Sequence, residues 1–82
     1  MAIVSEQQIH LFKENIPKRV GQIIRAIRIN KNMTQTQLAQ ATNKDRQYIY
    51  KIEKGVVTPN IVTIAILAEA LEVTLKEIFE QV

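Results

Sequence analysis

Residues 45 to 54 read DRQYIYKIEK, a segment whose long polar groups fall on one side of a helix. At about 100° per residue, Ile49 and Ile52 share a side that has to be buried. Gln47 and Lys51 lie nearly opposite, flanked by Arg46 and Tyr50, with Lys54 at the far end and Tyr48 on a flank. Guanidinium, amide, phenol and ammonium groups are the kind that reach base edges and phosphate oxygens. The ordinary alternative is a solvated helix face. The surrounding sequence argues against it.

That surrounding sequence is MTQTQLAQATNKDRQYIYKIEKG, Met33 to Gly55, which reads as two short helices joined by a tight turn. Thr34 is a good N-cap, and Gln37 three residues later completes a capping box. Leu38 and Ala39 give the first helix its apolar face. Asn43 stands where the chain bends sharply, and Asn tolerates a left-handed backbone better than most residues. Asp45 caps the second helix, and Gly55 is a natural stop. Length, turn and second-helix start are those of a helix-turn-helix, whose second helix presents its outer face to a groove of DNA.

The chain resembles the phage-repressor/Cro-type (XRE-like) helix-turn-helix family of bacterial and phage DNA-binding regulators. The likeness runs from about Val20 to Phe79. It begins with VGQIIRAIR (Val20 to Arg28), continues through MTQTQLAQA and RQYIYKIEKG, and ends with the TPN, LAEALEV and LKEIF segments. It implies an all-α domain of five helices, with the second and third forming the DNA-binding unit. It also suggests that Arg46, Gln47, Tyr50 and Lys51 face base edges or flanking phosphates and that Gln35 meets a phosphate. The first four are read here as base contacts, and Thr34, Tyr48 and Lys54 join Gln35 as expected backbone contacts. Arg28 and Glu53 are matched as an ion pair tying the first helix to the recognition helix. Departures are Thr42 and Lys44 at commonly apolar positions, Asn43 for a common Gly, and Val56 and Val57 where polar residues are frequent.

Composition agrees. Eighty-two residues make one small domain. Two Gly and two Pro favour helices, and the absence of Cys removes disulfides, thiolate metal sites and thiol nucleophiles. One His, no glycine-rich phosphate loop and no carboxylate pair in a recognisable site argue against an enzyme. No cofactor, metal or small-molecule effector is expected. With no signal pattern and no apolar run of roughly 20 residues, a soluble cytoplasmic protein is expected.

Charge is placed unevenly. Residues 1–55 hold ten of the eleven Lys and Arg and four of the eight acids, a balance of +6; residues 56–82 hold Lys76 against four Glu, a balance of −3. The positive part contains the helix pair, so its field would attract a polyanion.

The remaining segments read as scaffold. Val20, Ile23, Ile24 and Ile27 form a core stripe, with Pro17 suited to that helix's first turn. Ser5 and Gln8 form a plausible capping box for an extra N-terminal helix, about Glu6 to Glu14, with Ile9, Phe12 and Ile16 as an apolar edge. Residues 1–16 are thus read as an extension and 17–82 as the helix-turn-helix domain. Asn60 caps a later helix in which Ile61, Ile64, Leu67, Ala68 and Leu71 read as core. Thr74 and Glu77 offer the last helix a capping box. Val62 and Ile66 are an apolar pair on an otherwise outward face, which calls for a partner. Either the N-terminal extension covers them, or they join Phe79 in a two-fold dimer contact.

The expectation is a transcriptional regulator that binds specific double-stranded DNA as a homodimer. The competing class is a protein-interaction module of the same fold, such as an antitoxin or a bridging factor. Controllers of restriction–modification systems share this size and layout.

Overall fold

Five helices make up the molecule in a computed structural model that describes residues 1–82: α1 (Glu6–Asn30), α2 (Gln35–Ala41), α3 (Arg46–Lys54), α4 (Ile61–Ala70) and α5 (Leu75–Phe79). No helix is long and apolar enough to cross a membrane.

The starts follow local chemistry. Ser5 and Thr34 each accept the N–H of the residue three on, and Gln8 and Gln37 return the bond to the cap's own N–H. Asn60 Oδ1 accepts Thr63 N–H at 2.8 Å and starts α4. At α5 only half of the expected capping box forms. Thr74 accepts the Glu77 N–H, but the Glu77 carboxylate takes the Thr74 hydroxyl proton instead of the backbone N–H.

The stops repeat one device. After α1, α2, α3 and α4, an N–H bonds back to the carbonyl five residues earlier: Met33 to Arg28, Lys44 to Ala39, Val56 to Lys51, Val73 to Ala68. Each closure needs a left-handed residue just before the donor. Asn32, Asn43, Gly55 and Glu72 supply it, with φ of 58°, 53°, 74° and 59°.

The separate N-terminal helix is not found. α1 runs unbroken for 25 residues with Pro17 in its interior, not in a first turn. The capping box at Ser5 and Gln8 already starts the helix. Pro17 then removes a single bond, the one its N–H would have made to the Lys13 carbonyl, at an exposed residue that water reaches. Pro17 is itself buried, which offsets part of that loss.

Ile24, Leu38, Ile49, Ile52, Leu67, Leu71 and Ile78 fill the centre. Ile61 does not join them. It lies in the first turn of α4 and is 56% exposed, while Thr63 and Ile64 in the same turn are buried, so Ile61 stands at the edge of the buried face. Val62 and Ile66 are also exposed, so α1 does not cover them.

α1 and α3 cross in close contact. A Cβ on Gly21 would collide with the Ile52 and Glu53 carbonyl oxygens of α3, so the backbones touch there. Gly55 closes the same joint, since a Cβ on it would lie 2.6 Å from Lys18 Cα.

Candidate nucleic-acid interface

The turn between α2 and α3 is built to hold α3 at one angle. Thr42 is buried where an apolar residue is usual, and its hydroxyl donates to the Leu38 carbonyl at 2.7 Å. That bond removes the penalty of burying a hydroxyl. Asp45 Oδ1 accepts the Gln47 N–H at 2.8 Å, which opens α3 directly after the turn. Lys44 places its ammonium 5.9 Å from the centre of the Tyr48 ring, over the half-buried flank of the helix.

From this frame α3 buries Ile49, Ile52 and Glu53 and exposes Arg46, Gln47, Tyr50, Lys51 and Lys54. The Lys54 ammonium sits 5.8 Å from the Tyr50 ring centre, within cation–π range. All four residues read as base contacts therefore stand on one open face.

Arg28 and Glu53 form a buried, two-pronged pair. Arg28 Nε donates to Glu53 Oε2 at 2.7 Å and Nη2 to Oε1 at 3.0 Å, while Nη1 reaches the Met33 carbonyl at 2.7 Å. The pair joins α1 to α3 and reaches the loop before α2. Its polar atoms are all satisfied.

Gln35 continues this network. Its Nε2 donates to Glu53 Oε1 at 3.1 Å, and its Oε1 accepts from Arg46 Nη1 at 3.1 Å. A carboxylate only accepts, so the amide must turn its NH2 inward and its oxygen toward Arg46. In the free protein both ends of the Gln35 amide are thus bonded within the fold. Thr34 is also engaged, its hydroxyl oxygen and N–H both spent on the capping box.

An open basin of about 700 Å³ lies between α1 and α3, above this network, with Arg46, Tyr50 and Lys54 on one side and Lys18, Gln22 and Arg25 on the other. Sequence reasoning assigned nothing to these three α1 residues. The missed signal was Gly21, a small residue inside an apolar stripe that marks close backbone approach.

The three dimer candidates, Val62, Ile66 and Phe79, are all exposed. Phe79 lines an apolar groove of about 290 Å³ with Phe12, Ile16 and Pro17. Val62 and Ile66 line neither hollow. Arg19 Nη2 donates to the Gln81 carbonyl at 2.6 Å and fastens the C-terminal end to α1.

Residues 24–78 match the profile of the family described as Helix-turn-helix. The immunity repressor protein of Bacillus phage phi105 is 39% identical over 59 residues, which are 72% of this chain and 41% of the repressor. The chain thus spans less than half the length of that curated relative. Among solved structures, the restriction–modification controller C.AhdI from Aeromonas hydrophila is 33% identical, with a TM-score of 0.75 over 78% of this chain and 97% of that one. The controller C.Esp1396I, seen as a tetramer in complex with its natural 35 base-pair operator, is 35% identical, with a TM-score of 0.75 over 80% of this chain and 87% of its own. With the fold, the turn and most of its length accounted for in this way, the chain belongs to the helix-turn-helix family of the phage-repressor type.

Proposed function

We propose that this protein is a transcriptional regulator that recognises specific double-stranded DNA as a homodimer, with α3 in the major groove. The observation that carries the reading is the single exposed face of α3, on which Arg46, Gln47, Tyr50 and Lys51 stand together while the helix is pinned beneath by the Arg28–Glu53 pair. Arg46 and Gln47 have the donor and acceptor sets that pair bidentately with guanine and adenine edges, each worth about 1–3 kcal/mol of discrimination. Lys54 and Tyr48 flank that face and serve the backbone, together with Thr34, whose hydroxyl proton remains available to a phosphate.

Gln35 belongs to the same surface through Arg46, whose guanidinium it holds. Two copies meet through Val62, Ile66 and Phe79 and read half-sites about one helical turn apart. The likeness to two restriction–modification controllers supports a narrower form, in which the regulated genes encode a nuclease and its methyltransferase. Such genes beside this one are expected; a neighbouring toxin gene would favour the interaction-module reading instead.

Selection of bound sites from a random duplex library tests the main reading. The protein is expected to enrich a two-fold symmetric site, and Arg46→Ala to bind that site far more weakly while binding random DNA nearly as before. Equal loss on both would remove Arg46 from base reading. Failure to enrich any site would reject sequence recognition.

A further inference from the structure

Lys18, Gln22 and Arg25 are spaced i, i+4, i+7 and share one face of α1. They border the basin whose other side is the exposed face of α3, so the polar surface of α3 continues onto α1 without a break.

The charges bordering this basin are Lys18, Arg25, Arg28, Arg46 and Lys54 against Glu53 alone, and Arg28 already neutralises Glu53. Arg25 forms no ion pair, and the only one made by Lys18 is an exposed 3.5 Å contact with Glu14. This much uncompensated positive charge repels itself unless an anion lies against it. The cations line both sides of an open basin of about 700 Å³. That layout fits a chain of charges better than a single small anion. Duplex DNA is such a chain, with one negative charge per about 1.7 Å of axis counted over both strands.

Position is fixed as well as charge. The Gly21 and Gly55 contacts leave no gap between α1 and α3, so the Lys18–Arg25 face is held in constant relation to the base-reading face.

We infer that the Lys18, Gln22 and Arg25 face of α1 is a second DNA contact, a rim that seats the sugar–phosphate backbone flanking the groove occupied by α3. The inference rests on the DNA-binding reading given above. The rim reads no sequence. It widens the footprint of each subunit and fixes its register on the duplex.

The test is the salt dependence of binding to a mixed-sequence duplex of about 30 base pairs, roughly three helical turns. Lys18→Gln/Arg25→Gln is expected to flatten the log–log slope by about 1.8, about 0.9 for each phosphate lost. Lys13→Gln, an α1 cation that lines the apolar groove instead, is expected to leave the slope unchanged. Replacing part of the chloride by inorganic phosphate at equal ionic strength is expected to have no special effect.

An unchanged slope in the double variant overturns the rim, as does equal flattening by Lys13→Gln. Preferential displacement by inorganic phosphate would assign the basin to a free anion and overturn it too. A fall in self-association of the double variant by sedimentation would assign the face to an acidic surface of a second copy, with the same result. If the unmodified protein binds no duplex at all, the underlying DNA-binding reading fails, an outcome distinct from each of these. Thermal melting of both variants checks that the fold is retained.

Discussion

Gln35 holds Arg46 by one hydrogen bond, 3.1 Å from amide oxygen to guanidinium, and the orientation of that amide is dictated from below by Glu53. A largely buried pair thus orients the amide that holds an exposed arginine on α3. The link runs from the buried pair to the exposed face of α3 through one side chain.

Removing the amide tests that link. Gln35→Ala is expected to lower discrimination at the base pair proposed for Arg46 about fivefold, on the order of 1 kcal/mol for one lost hydrogen bond. Binding to mixed-sequence DNA is expected to change little, and in an Arg46→Ala background the substitution is expected to add nothing. Titrations of the four proteins on both duplexes measure this. Equal loss on both duplexes would make Gln35 a phosphate contact instead.

The pair beneath it is a stability element only while both members are present. Arg28→Met or Glu53→Leu alone leaves a buried charge without its partner, at a cost of about 3–5 kcal/mol. The double substitution is expected to recover most of that in urea unfolding while DNA discrimination stays impaired. A double variant no more stable than either single one would contradict this account.

Gly21→Ala places a methyl group against the Ile52 and Glu53 carbonyls, backbone atoms that cannot turn aside. A loss of about 3 kcal/mol is expected, the upper end for overpacking. Denaturant unfolding reports it, and a loss below about 1 kcal/mol would mean that the two helices can part at little cost.

Val62 and Ile66 stay uncovered within one subunit. Val62→Lys/Ile66→Lys is expected to shift sedimentation toward monomer and to weaken binding to a two-half-site duplex more than to a single half-site. An unchanged dimer fraction at matched concentration would move the contact elsewhere.

Local rules made most of the fold legible. Thr34, Asp45, Asn60 and Ser5 start helices because a side-chain oxygen captures an orphan N–H, and Asn43 and Gly55 stop them because they tolerate left-handed backbone. Pro17 misled because a proline's local preference for a first turn was outweighed by a helix already started at Ser5. Ile61 misled because helical periodicity gives direction and not depth. On α3 the open face was readable from spacing alone. The Gln35–Arg46 bond and the placement of the Lys18–Arg25 face beside α3 were not, since each depends on how separate helices cross, which the matched Arg28–Glu53 pair and Gly21 hint at without fixing.

The contact at Gly21 also decides where compliance lies. With backbone on backbone between α1 and α3, this joint leaves α3 little room to tilt toward the groove it is proposed to read. Any mismatch in groove width or twist falls on the duplex, whose bending and untwisting energies vary with sequence. Selectivity at base pairs that no side chain reaches would then follow from the stiffness of the protein itself.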